Sequence, residues 1–159
     1  MKAHTATRPM AETHYGRLVL MLVLSFISMY VLMYSMVNAF ENVFMNVNQV
    51  YMAGLMAAPM GLIELAVMSG MYRDRKLNTI VTAGSVIALA LFWVLLRNQV
   101  AVSDKQFLRS MIPHHGGAIL MCEQASIQDA EIKALCRAII SSQQSEIDQM
   151  KAKLRALDQ

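Results

Sequence analysis

The sequence predicts an all-α protein: three transmembrane helices followed by a helical hairpin that dimerises into a four-helix bundle. Three observations carry that prediction. The 159-residue chain is 56% apolar with a mean hydropathy of +0.40, above that of an ordinary soluble domain. Three long runs, Leu18 to Val37, Val50 to Met71 and Ile80 to Leu96, hold between them a single charged residue, Glu64. From Ser103 onward the chain turns polar and periodic, with one Pro, two Gly and no other interruption.

The runs are 20, 22 and 17 residues long, and a helix needs about 20 apolar residues, with a range of about 17 to 25, to cross a bilayer. The first run is too long for the apolar core of a secretory signal, and no Ala-x-Ala cleavage pattern follows it, so it reads as a retained span. Residues 1–17 form a tail, 18–97 a three-helix membrane domain, and 103–159 a hairpin domain outside the lipid. Cations set the orientation. Lys2, Arg8 and Arg17 lie in the tail, none lies in the loop 38–49, and Arg73, Arg75 and Lys76 lie in the second loop. Tail and second loop are therefore expected in the cytoplasm. The hairpin is expected on the far side of a cytoplasmic, inner-type membrane, which is the periplasm in a Gram-negative bacterium. Arg97 and Arg109 oppose this, but they follow the last span, where topology is already set.

In the hairpin domain, Ser103-Asp104-Lys105-Gln106 has the form of a capping box. A helix is expected from Asp104 to about Ser126, continuing from the third span as a stalk, with a kink or a fresh start at Pro113. Asp129 is placed to cap a second helix that runs toward Leu157, with Glu131 in its first turn. A connection of about three residues forces the two helices antiparallel. At about 100° per residue, Met111, His114, Ala118, Met121 and Ala125 share a face, bordered by His115 and Cys122. On the second helix Cys136, Gln143, Met150 and Leu157 share a face, with Glu146 and Ile147 at its edges. So short a hairpin has little core of its own, which predicts pairing with a second copy.

The chemistry concentrates in Met111-Ile112-Pro113-His114-His115-Gly116-Gly117-Ala118-Ile119-Leu120-Met121. Thioether and imidazole donors suit the cuprous ion, and by chemical similarity silver(I), far better than magnesium, calcium or zinc. Fifteen methionines in the chain fit the same preference. Met111 and His114, at i and i+3, are spaced to share an ion. Consecutive histidines diverge by about 100° on a helix, so one binds while the other holds the helix in register, unless Pro113 distorts the backbone. The plain alternative is a polar, metal-free helix contact. No Glu-x-x-His motif occurs in the tail, which argues against a di-iron carboxylate centre. No phosphate-binding loop, nucleophile triad or basic-aromatic stripe occurs, and a net charge of +3 spread along the chain gives no reason to expect nucleic acid.

Phe107, Met111-Ile112-Pro113-His114-His115, Ala118-Ile119, Met121, Ile140, Gln143, Glu146-Ile147 and Met150 together resemble the family called domain of unknown function 305, over residues 104–154. That resemblance implies a ferritin-like helical bundle. In some secreted members it also implies copper binding and tolerance through Met and His. It implicates Met111, His114, His115, Met121 and Met150, with Glu146 as ligand or orienting group. Tyr51 to Met60 is similar to a membrane-anchored subgroup. Soluble members carry two helix pairs where this chain has one, so the resemblance implies that a second copy completes the bundle.

Two further features leave alternatives open. Met52, Met56, Met60 and Glu64 lie on one side of the second span, and an ionisable group in a span is costly and functional by default. They read as a path for a soft cation, or as packing methionines beside a neutral carboxyl group bonded to Ser or Tyr on a neighbouring helix. Cys122 and Cys136 flank the hairpin turn and read as a disulfide, as a thiolate ligand in Cys122, or as two small core residues. The function expected is copper capture and handling at the outer face, without catalysis. The alternative is a metal-free oligomeric scaffold whose helical tail binds a partner protein.

Overall fold

The computed structural model describes residues 8–159, with side chains from His14 onward. Lys2, one of the tail cations used for orientation, lies outside the described residues. All regular structure among the described residues is helical: α1 (Arg8–Leu32), α2 (Val47–Val67), α3 (Arg75–Arg97), α4 (Asp104–Gln124) and α5 (Ala130–Leu157), with short 3-10 turns at Met33–Met36 and Phe40–Asn42. Three helical segments, His14–Met36, Val47–Val67 and Arg75–Arg97, are long and apolar enough to cross a membrane. At its N-terminal end α3 overruns its apolar run because a cap, not hydropathy, starts it. Asp74 accepts hydrogen bonds from the backbone N–H of Lys76 and Leu77, which starts α3 five residues before the apolar run.

The chain forms two compact units. One joins the residues up to Tyr30 with Val50–Asn98. Small residues on α2 let its neighbours approach closely. A Cβ on Gly54 would lie 2.5 Å from the Phe92 ring, and one on Gly61 would lie 2.5 Å from Ser85 Oγ. At one end of this unit Tyr15, Leu18 and Tyr72 are buried together, and Tyr15 Oη donates to Asn78 Oδ1 at 2.6 Å. Pro59 is accommodated inside a continuous α2.

The other unit joins Val31–Gln49 with Gln99–Gln159. Asp129 caps α5 by accepting from Ile132 N–H at 2.9 Å, as its position predicts. The hairpin core is one seam: Leu108, Ile112 and Ile119 of α4 against Ile147 and Leu154 of α5, with Ile140, Met150 and Leu157 alongside. On both helices these positions step by three and four residues, the spacing that keeps an apolar stripe facing a partner. Segment 31–49 adds a third layer that the helical periodicity does not announce. Phe44 packs against the core. Asn38 lies over Gly116, where a Cβ would meet its Oδ1 at 2.7 Å.

Three local expectations are corrected. Ser103 sits at the N-cap position of α4, but its side chain makes no capping bond. Gln106 Oε1 instead accepts from Val47 N–H at 3.1 Å and so caps the start of α2, a tertiary use that no local motif encodes. Pro113 starts no new helix: α4 runs through it, although Pro113 lacks the N–H that would bond the Arg109 carbonyl. Nor does α4 continue α3 as a stalk. Between them Gln99 and Ala101 have φ of 50° and 58°, left-handed values that interrupt a right-handed helix.

Candidate functional site

The two histidines of α4 part company. Their ring centroids are 6.0 Å apart with planes at 62°. His115 is buried and turned into the hairpin seam. Its Nδ1 lies 2.9 Å from the Met111 carbonyl oxygen and its Nε2 lies 2.7 Å from Glu146 Oε2. Both ring nitrogens thus face oxygen atoms within hydrogen-bonding distance. Neither nitrogen is directed at open space, and the ring bridges α4 and α5. Glu146, whose side chain is 50% exposed, is its orienting partner across the helices.

His114 points the other way and is exposed. It stands in a second stripe, Phe107, Met111, His114, Ala118, Met121 and Ala125, stepping by four and three residues along α4. This stripe lies about 100° around the helix from the seam that α5 covers. Phe107 is 51% and Met121 55% exposed, whereas Ile112 and Ile119 of the covered seam are at 0% and 2%. The helix therefore carries two apolar seams, one used within the hairpin and one open.

The remaining candidates are distributed. Met150 packs into the hairpin core beside Ile147 and Leu154. Cys122 and Cys136 sit at the turn end of the covered seam, half-buried and unbridged. Interaction with the Cys136 side chain, and burial second, push the Cys122 pKa up. Among the described residues no three His, Cys, Asp or Glu side chains gather in a metal-sized cluster.

In α2, Met52 and Met56 face outward at 40% and 44% exposure, and Met60 is half-buried. Glu64 accepts a 3.2 Å hydrogen bond from Tyr72 Oη, so the carboxyl group has the tyrosine partner that its non-conducting reading requires. Burial raises the Tyr72 pKa, and the neighbouring Glu64 adds to the rise. The sequence names Tyr or Ser as partner types, but only the fold selects Tyr72, eight residues on in the loop after α2.

Comparison with known proteins bears on this arrangement. The chain is 35% identical over 106 residues to "Uncharacterized protein L153" of Acanthamoeba polyphaga mimivirus, an alignment covering 65% of this chain and 68% of that protein. No solved structure matches. The family model described as "Domain of unknown function (DUF305)" matches residues 49–154, beginning at α2 and so reaching well upstream of the hairpin motifs. The His-His segment, its Glu146 partner, all of α4 and α5 as far as Leu154 fall inside that match, and the chain belongs to the DUF305 family.

Proposed function

We propose that this protein is a membrane-anchored binder of cuprous ion, with silver(I) as a chemical equivalent, which captures the metal at the outer face and catalyses nothing. The observation that carries the reading is the open seam of α4. It carries exposed His114 and Met121 and half-buried Met111 on one side while His115 is committed to Glu146. Soft donors left outward on an otherwise well-packed helix suit a soft ion. Met121 lies seven residues beyond His114, about 10 Å along the axis, so one helix cannot bring all three to a single ion. Parallel two-fold pairing of the seams would set Met111 and His114 against their counterparts, offering two thioethers and two imidazoles. The hairpins of two copies would then form the four-helix bundle, anchored by three spans in the inner membrane with the N-terminus cytoplasmic. Glu146 and His115 position the helices, Met150 packs behind the site, and Cys122 lies one residue beyond Met121. Met52, Met56, Met60 and Glu64 would offer a route along α2 only if the Tyr72 bond opened.

The test uses the full chain in detergent, titrated with cuprous ion against a competing bidentate chelator. Wild type should take copper from the chelator, and His114→Ala with Met111→Ala should lose at least tenfold in affinity, about 1.4 kcal/mol. Unchanged affinity in the double variant overturns the site. A stable dimer that takes no copper favours the scaffold reading, in which the same seam binds protein alone.

A further inference from the structure

The first compact unit contains a groove of about 390 Å³ between its three helices. α1 lines it with Leu22 and Phe26, α2 with Gly54 and Ala58, and α3 with Gly84 and Ala88. All of its lining residues fall in the segments long and apolar enough to cross a membrane, and none is charged. Small side chains on α2 and α3 leave the space open. Around Gly84 nothing lies within 4 Å of a Cβ, whereas the room beside Gly54 is already taken by the Phe92 ring. Ser85, the only polar side chain in the lining, is buried and turned toward Gly61, where a Cβ would meet its Oγ at 2.5 Å. Along α3 the lining runs from Val81 to Phe92, about 16 Å, and stops short of the charged ends at Arg75 and Arg97.

Size and chemistry select the occupant. Water needs about two to four polar partners in a cavity, and the lining side chains offer Ser85 alone. A lipid headgroup finds no charge to meet. A spanning helix, about 30 Å long and 10–12 Å across, is several times too large to be enclosed, so a second copy can offer no more than a side chain. An apolar cavity of about 150 Å³ takes up a benzene ring, which has six carbons. By that measure about 390 Å³ accommodates roughly sixteen carbons, the size of one lipid chain. We propose that the groove between α1, α2 and α3 holds one acyl chain of a membrane phospholipid as a resident ligand, recognised by shape and not by its headgroup. Within a bilayer the chain gains nothing from leaving water. What retains it is the close packing that an empty groove forfeits. The inference shares with the copper reading only the membrane anchoring. Neither Met111 nor His114 takes part, so a failed copper titration leaves it standing.

The experiment titrates full-length protein in a maltoside detergent with phosphatidylcholine carrying a photoreactive diazirine in mid-chain. After illumination, adducts are mapped by peptide mass spectrometry. Adducts at Leu22, Ala58 and Ala88 should saturate at one per chain. Those on the outward-facing Leu24, Ile63 and Ile87 should climb in proportion to the lipid added. Gly84→Leu starts its side chain in the open space and fills the groove. It should lower the groove adducts at least tenfold, about 1.4 kcal/mol in affinity, and leave the outward ones unchanged. Groove adducts that never saturate, or that survive Gly84→Leu at full yield, overturn the inference. So does a groove that stays unlabelled while the outward faces react, the result expected if a side chain of a second copy fills it. Circular dichroism checks that Gly84→Leu folds, and if it does not, the wild-type titration decides alone.

Discussion

The bond between His115 and Glu146 is the most exposed point of the structural argument. The ring is 6% exposed and its Nε2 has no alternative partner, so Glu146→Ala leaves a buried polar nitrogen unmatched. That costs about 1–3 kcal/mol in general. Glu146 is half-exposed and water can reach its side of the contact, so the lower part of the range applies, about 1–2 kcal/mol. The expected effect is a roughly 5- to 30-fold loss of amide protection. It should appear in 109–119 and 140–150 by hydrogen exchange on the full chain. Glu146→Gln keeps an acceptor for Nε2–H and should cost less than about 1 kcal/mol. In a His115→Leu background the ring nitrogens are gone, and Glu146→Ala should be nearly silent. Equal loss of protection in both backgrounds would refute the reasoning, as would no loss in either.

Two other outcomes are expected. Gly54→Val would drive side-chain atoms into the Phe92 ring, already 2.5 Å from a Cβ at that position, and should lower the detergent unfolding temperature by the equivalent of about 1–3 kcal/mol. Asp158 accepts a 2.9 Å hydrogen bond from Lys105 Nζ, and that bond lowers its pKa from the ordinary 3.8. A carboxyl group with a depressed folded pKa stabilises above its unfolded value and loses that contribution as pH falls through the folded one. Its contribution should thus fade only below pH 3.8, and Lys105→Met should move the carbon-13 titration midpoint of Asp158 upward.

Much of the fold is legible in the sequence because its signals are local. Charge-free runs announce the spans, and Asp129 announces the start of α5 through a side chain that can only cap. The unread parts are tertiary. Gln106 looks like the end of a capping box and instead serves Val47, 59 residues away. The docking of 31–49 onto the hairpin depends on Asn38 meeting Gly116, and a 3.6-residue periodicity holds no trace of that. For the site, the sequence shows that adjacent histidines must diverge. Choosing His115 as the inward one requires seeing that Leu108, Ile112 and Ile119 form the seam α5 covers. The Met111 stripe has the same spacing and is equally apolar to the eye. A helix with two such stripes cannot declare from its own residues which one is taken.

The assembly of the second unit from two separated stretches of chain has a practical consequence. A soluble fragment beginning at Ser103 would look like a clean excision of the polar region. It would leave behind Asn38 and Phe44, baring the back of α4 at Gly116 and the flank of the hairpin core. Such a fragment would carry a wound as well as the open seam, and any self-association or metal uptake measured on it could arise at either surface. A faithful excision has to carry residues 31–49 along, spliced or co-expressed.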